Sequence, residues 1–494
     1  NKRYWNWMMK NGDSSSPRRL TLYFFLLVSC TRFTPEIIHP FIAVILVIFA
    51  VRELRMKYKK PVVFTQRATR LYIASWVVVV LHTTLWAALT QFDLSVIPLL
   101  MLCAAAFSWV VILLANVLMH PIEMQINRGF YNEAKKILEA MPNLRIIGVT
   151  GSYGKTSTKH YLYRILSEKY NVLMTPGSFN TTLGVIRTVR EHLKPHHQVF
   201  IVEMGAKQLG DIKEICDLVH PQIGIVTAVG EMHLETFHSV ENVRRTKFEL
   251  IDALPEKGLA VVNMDSEHIA SKVIDHHSAL IGYGVKNHDA DYRAVNINYT
   301  NTATSFDVDC QGDVREGYAT HLVGRGNILN LLAAVAVADH LGVSESQQKR
   351  AMRQIEQIEH RLSLKRTAGG VTIIDDAYNS NPTGANMALE VLSSFSRPKG
   401  ARRIVVTPGF VELGERQAEL NHQLGRAMAQ SCDIAIVVNL TNREYITSGL
   451  REQGFPEEQI FQMDSFAEAS ALLAQKLQAG DVILYENDLP DSFK

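Results

Sequence analysis

The sequence predicts an α/β protein with apolar helices at its N-terminus, and three observations predict it. Apolar runs of membrane-spanning length fill much of the first 120 residues. An apolar strand at 146–159 (IIGVTGSYGKTSTK) runs into a glycine-rich turn, a lysine and hydroxyl residues. From Asn143 onward, strand-like runs alternate with helical stretches, the pattern of a mostly parallel sheet covered on both faces.

Residues 37–51, 71–89 and 94–119 are nearly free of charge, and a bilayer core takes about 20 such residues per helix. The run at 20–30 (LTLYFFLLVSC) is shorter, so three or four crossings are expected within residues 1–120. Basic residues near membrane segments stay on the cytoplasmic side. Arg52, Arg55, Lys57, Lys59, Lys60, Arg67 and Arg70 stand against Glu53 alone, which predicts a cytoplasmic loop. A short turn at Gln91, Phe92 and Asp93 then returns the chain to the cytoplasm near His120. Lys2, Arg3, Lys10, Arg18 and Arg19 favour a cytoplasmic N-terminus as well, and no small-residue cleavage site follows Cys30. The expectation is a multi-pass protein of the inner (cytoplasmic) membrane with its catalytic domains in the cytoplasm. Residues 121–143 read as an amphipathic connector on the membrane surface.

The composition, 494 residues with 47% hydrophobic and a formal charge of +2, fits an apolar anchor carrying an enzyme and shows no nucleic-acid footprint. Cys30, Cys103, Cys216, Cys310 and Cys432 are scattered without a C-x-x-C pair, which argues against a zinc site or a disulfide framework. Asn1 in place of an initiator methionine implies a start further upstream.

The turn at 151–157 has the makings of a phosphate cradle. Gly151 and Gly154 let backbone N–H groups converge, with Ser152 between them; Lys155 can reach phosphate oxygens, and Thr156 or Ser157 can hold a magnesium ion. The spacing is not a strict Walker A, because Val149 stands where its first glycine belongs. The loop therefore says nucleotide without saying which enzyme. RIIGVT, NVLMTP, QVFIVEM, QIGIVTAV and GLAVVNM read as the strands of one α/β domain (144–359), with VNINYTNTATSFDVDC as antiparallel strands and a helix over 328–341. A second α/β unit (360–494) takes VTIIDD, RRIVVTPG, IAIVVN and DVILYEN as strands, hinged at 359–364. Glu203 ends the strand QVFIV at the carboxyl edge of the sheet, where ligands bind in such folds; by itself it reads as a solvated strand-end carboxylate.

TGSYGKTSTK is followed in order by TPGSFNTTLGV, VEMGAKQLGDI, HLETFHSVENVRRTKFEL, NMD, GRGNILNLLAA, HRL, DDAYNSNP and VELGERQAEL. In joint order and spacing this resembles the Mur ligase family over about residues 143–478. The resemblance implies a P-loop-type central domain, a Rossmann-like C-terminal domain and ATP-dependent joining of a carboxylate to an amine on a cell-envelope precursor. A carboxylate is a poor electrophile, so it first attacks the γ-phosphate to become an acyl phosphate, and cations must screen the two anions. By resemblance, Lys155 and the loop amides hold the β/γ-phosphates, Thr156 and Glu203 a first magnesium ion, and His233 a second. Lys247 corresponds to a lysine that the family carbamylates, which turns a cation into an anion able to face a metal. Asn327 matches a residue near the adenine, Arg361 a phosphate contact and Asp376 a ribose-side aspartate, while Asn180, Thr181 and Thr182 fall in the substrate loop. His196, His197, His276 and His277 read as solvated.

Two departures bear on the substrate. Family members of this type begin with a domain that holds the UDP part of the precursor, where this chain has apolar helices. The family's Lys-Gly-Ser-Arg near the last strand is replaced by ENDLPDSF, which argues for a changed acceptor or acyl chain. The donor is then a UDP-linked or lipid-linked precursor, and the acceptor an amino acid or dipeptide. Two alternatives stand beside this reading: a poly-γ-glutamate synthase-like amide ligase at a membrane, and a nucleotide-binding membrane scaffold without turnover, against which the intact Lys155, Thr156, Glu203, His233 and Lys247 speak.

Overall fold

The computed structural model describes residues 63–89, 107–271, 278–378 and 380–488, with the isolated positions 44 and 48. The apolar runs at 20–30 and 37–51, most of the span 94–106, and His276 and His277 lie outside these residues or nearly so. The chain divides into two compact units, residues 1–130 and 131–494.

In the first unit, helix α1 (Gln66–Leu89) and helix α2 (Ser108–Glu139) meet through Ala74, Val78 and Ala115. Arg70 Nε donates to Glu123 at 2.7 Å. Two sequence expectations are corrected here. Arg67 and Arg70 belong to α1 and not to a loop, because Glu123 offers them a partner across the pair. The connector expected at 121–143 is no separate element, since α2 runs unbroken through Pro121 to Glu139. Among the described residues two helices are long and apolar enough to cross a membrane, with mean hydropathies of 1.3 and 1.5.

The second unit holds two sheets. The first has nine strands: β1 (Arg145–Thr150), β2 (Val172–Met174), β3 (Val199–Glu203), β4 (Ile223–Val226), β5 (Leu259–Asn263), β6 (Ala279–Gly284), β7 (Tyr292–Tyr299), β8 (Thr304–Cys310) and β9 (Asp313–Thr320). Their spatial order is β2-β3-β1-β4-β5-β6-β7-β8-β9, parallel as far as β7 and antiparallel beyond it. The five strands β1 to β5 fall where apolar runs predicted them; β1, β3, β4 and β5 are buried on both faces, and the edge strand β2 is half-buried. Parallel pairing needs crossovers, and helices α3 (Lys155–Leu166), α4 (Thr182–His192), α5 (Asp211–Val219) and α6 (Val240–Asp252) supply them.

Helix α7 (Arg325–His340) is buried nearly all round, with Leu331 through Ala338 at 0% exposure. A helix apolar on every face belongs inside a core, and α7 packs with Tyr161, Leu162 and Ile165 of α3. This packing fixes the helix that carries the phosphate loop.

The second sheet, β10 (Ser363–Arg366), β11 (Thr372–Asp376), β12 (Arg403–Thr407), β13 (Ile434–Val438), β14 (Ile460–Met463) and β15 (Val482–Glu486), has the order β10-β11-β15-β12-β13-β14. All its pairs are parallel except β10 with β11. A single apolar cluster contains Val226 and Phe248 from the first sheet's side and Ile374, Leu392 and Val405 from the second's. Where the sequence placed a hinge, His360 and Leu362 take left-handed backbone, with φ of 58° and 53°.

Candidate active site

The turn after β1 is built around two glycines that nothing larger could replace. A Cβ on Gly151 would lie 2.0 Å from Thr227 Oγ1, and one on Gly154 would lie 2.5 Å from Asn330 Oδ1. Gly154 also has a φ of 80°, which favours glycine. The backbone is therefore pressed against β4's exit and against α7. Ser152 is 1% exposed; its N–H donates to Ala228 O at 2.8 Å, and its hydroxyl pairs with the backbone of Gly230. Lys155 folds back over the loop and donates to Gly151 O at 2.7 Å. Burial pulls its ammonium down to about 8; Glu203 opposes this and Arg361 adds to it. Ser157 is buried behind Lys155, and Thr156 is half-buried beside it.

Glu203 ends β3 one strand away, in register with Val149. It is 1% exposed, and Asn180 Nδ2 donates to its Oε1 at 3.0 Å. Oε2 lies 2.9 Å from Lys159 Nζ, a fully buried ion pair. Burial works against its charge, but Lys159 and Lys155 outweigh burial and hold the carboxyl below its ordinary value. A buried carboxylate at a strand end beside a phosphate loop and a threonine hydroxyl suits magnesium, which takes one or two carboxylates and completes its shell with phosphates and water. Among the described residues no group of three or more His, Cys, Asp or Glu could hold a metal ion alone.

The substrate-loop candidates divide in role. Asn180 reaches Glu203, and Gly205 lets it approach, because a Cβ there would lie 2.8 Å from Asn180 Cγ. Thr181 caps α4 by accepting from Gly184 N at 3.3 Å, and Thr182 donates to Glu214 at 2.8 Å.

Lys247, on the buried face of α6, is 4% exposed and pairs with no carboxylate among the described residues. Its ammonium lies 6.0 Å from the Phe237 ring. Burial, then the charge of Lys155, brings it down to about 7. His233 has left-handed backbone (φ 53°), and its Nδ1 meets Glu412 from the second sheet's side. Glu231 and Arg416 pair across the same junction at 3.0 Å. His233, Glu412, Ser380 and Asn487 line an open cleft there.

The second sheet brings the remaining candidates. Arg361 lies over the Tyr378 ring at 4.1 Å, and the Tyr378 hydroxyl is 2.8 Å from that of Ser178 in the substrate loop. Asp376 accepts from Leu362 N at 3.0 Å; burial pushes it up to about 6 against the pull of Arg361. Asn327 has its amide committed, accepting from Tyr161 at 2.7 Å and donating to Val323 O at 2.8 Å. His196 and His197 lie on the polar turn before β3, with rings 4.4 Å apart.

Sequence reasoning missed Lys159, Glu412 and Glu486. The first stands four residues after Lys155 in the phosphate-loop motif, a spacing that puts both on one helix face. Cys216 and Cys432 are buried free thiols and Cys310 is half-buried, so no disulfide forms among them.

Residues 149–338 match the Mur ligase middle domain, and residues 360–485 the Mur ligase, glutamate ligase domain. The chain is 31% identical over 367 residues to the UDP-N-acetylmuramoyl-tripeptide–D-alanyl-D-alanine ligase of Mycobacterium bovis, covering 69% of this chain and 70% of that one. It is 27% identical over 296 residues to the enzyme of the same name from Bacillus subtilis, covering 60% of this chain and 62% of the relative, so it spans less than two thirds of that protein. The MurF ligase of Thermotoga maritima, solved in complex with ADP, superposes with a TM-score of 0.64 at 25% identity, covering 73% of this chain and 80% of that one. These relatives are named for a UDP-linked, hence water-soluble, substrate. With that, and with two helices of modest hydropathy among the described residues, the expectation of a multi-pass inner-membrane protein is overturned. Apolar composition alone misled it.

Proposed function

The chain belongs to the Mur ligase family, whose members are ATP-dependent ligases that use magnesium, and from that premise we propose that it joins a peptidoglycan-type acyl donor to an amine through an acyl phosphate. The donor we infer is a UDP-linked muramoyl tripeptide and the acceptor D-alanyl-D-alanine, as in the names of the relatives. The observation that carries the reading is the buried Glu203 at the end of β3 beside the phosphate loop, paired with Lys159 and held below its ordinary value by Lys159 and Lys155.

Lys155 and the N–H groups of the glycine turn would take the β/γ-phosphates of ATP. Magnesium, held by Thr156 and Glu203, would neutralise phosphate charge; His233, whose Nδ1 meets Glu412, would supply its other nitrogen to a second ion. Lys247 suits carbamylation for a physical reason. Its amine is buried, brought down to about 7, and faces Lys155 without a carboxylate of its own. As a carbamate it would exchange repulsion with Lys155 for attraction. Arg361 and Tyr378, reaching Ser178 from the second sheet, would close the site against water, which hydrolyses acyl phosphates.

One observation favours a second reading of the acceptor, as in a glutamate-adding ligase or another changed amine. Where the resemblance expects a lysine-containing acceptor motif, β15 ends in the buried Glu486, bonded to Ser380. The test is phosphate release from ATP by the purified full chain with UDP-muramoyl tripeptide and either D-alanyl-D-alanine or glutamate. Stimulation by the dipeptide supports the first reading, and stimulation by glutamate alone replaces it with the second. ATP turnover with neither would sink both.

A further inference from the structure

Lys159 lies wholly inside the protein, one helical turn beyond Lys155. A lysine ammonium has three protons and no acceptor. Here it donates to Thr175 O at 2.9 Å and to Gly177 O at 2.6 Å. Its third proton faces Glu203 Oε2, 2.9 Å away, in a fully buried ion pair. The lysine thus stabilises the carboxylate and fixes its direction. On the other side, Asn180 donates to Oε1 at 3.0 Å while its own backbone carbonyl accepts from Gly205 N at 2.7 Å. Thr175 adds a third tie, its hydroxyl accepting from Glu203 N at 3.1 Å. Glu203 is therefore clamped from both sides by groups of one loop, residues 175–180, and Lys159 joins that loop to the phosphate-loop helix.

A buried ion pair contributes little to stability compared with packed apolar groups, so retention of this one calls for another reason. We propose that Lys159 is a positioning residue that locks Glu203 to the 175–182 loop, so that occupancy of the nucleotide-metal site and the shape of the substrate loop are set together. The coupling rests on the ligase reading above; the locking does not. Arg could not do the same work, because a planar fork cannot converge on two carbonyls and a carboxylate as a compact ammonium does.

The experiment is hydrogen–deuterium exchange on the full chain, first without metal or nucleotide. Lys159→Gln should speed exchange about tenfold within 175–182 and at Gly205, leaving α7 unchanged, and Lys159→Arg should reproduce most of that loss. Equal exchange in the wild type and a folded Gln variant would overturn the proposal. Magnesium with ADP should slow exchange in the wild-type loop, a measurement that needs no variant to fold; nucleotide bound with no change in the loop also overturns it. In the Gln variant, the magnesium needed for half-maximal ADP binding should rise about tenfold. A wild-type chain that binds no ADP at all would refute the ligase reading, while the metal-free comparison still decides whether Lys159 locks the loop.

Discussion

Two buried glutamates stand at the carboxyl ends of parallel strands, Glu203 on β3 and Glu486 on β15, and their surroundings shift them in opposite directions. Burial disfavours the anion at both. At Glu203 two lysines outweigh burial and hold the group below its ordinary value. At Glu486 burial is reinforced by Asp376, which lies in register on β11, and the bond from Ser380 does not offset them, so the group is held well above its ordinary value. The strand end makes a position available; the neighbouring charges decide what it can do. The first end favours the anion, and the second, buried beneath the cleft-lining Ser380 and Asn487, favours the neutral acid.

The largest effect should come from breaking the cationic side of the first end. Lys155→Ala removes the ammonium from the point where phosphates crowd, and turnover measured as phosphate release should fall by about a thousandfold. Unchanged turnover would remove the phosphate role from this lysine. Next in size is Lys247→Ala, with a loss of about a hundredfold, partly restored by short-chain carboxylates that replace a carbamate. Carbamylation needs the neutral amine, and burial together with Lys155 brings Lys247 down to about 7. Activation by carbon dioxide should therefore appear as pH rises through about 7 and vanish below it. Full activity of the Ala variant would remove the carbamate from the account.

The first end was largely legible in the sequence and the second was not, for physical reasons. Val199 through Glu203 is a continuous apolar run closed by one acid, and the glycines at 151 and 154 with Lys155 announce a phosphate turn by residue type and spacing alone. What escaped were pairings between distant residues: Lys159 with Glu203, His233 with Glu412, and Glu486 with Asp376. Strands β6, β9, β10 and β14 escaped too: β9 and β10 are polar, and β6 and β14 are apolar but short or interrupted by glycine. The membrane expectation failed in the opposite direction. Apolar length was easy to read, but length and composition alone do not establish that a helix crosses a membrane. Within α2 the same helix that begins apolar carries Glu133, whose carboxylate accepts from Arg190 at 2.7 Å.

The smallest expected effect sharpens the comparison most, because one substitution made at both ends should change stability in opposite directions. At the second end, the folded state holds Asp376 at about 6 against an ordinary 3.8, so between those values it binds more protons than the unfolded chain. The stability this contributes is full below 3.8 and is lost as pH rises through about 6. Glu486 is raised as well and acts in the same sense. Glu486→Gln removes one of the two acids while keeping an oxygen for Ser380, so the decline should flatten and stability at neutral pH should rise by about 1 kcal/mol. At the first end the sign reverses. Glu203 is lowered, so its contribution is present above its ordinary 4.5 and is lost as pH falls through the folded value. Glu203→Gln leaves the buried Lys159 charge without its counter-ion and should cost about 3 kcal/mol at neutral pH. Urea unfolding of both variants from about pH 4 to about pH 8 reads the two slopes directly. Losses of equal size at both ends would mean that burial alone governs these glutamates and that the lysines at the first end count for little.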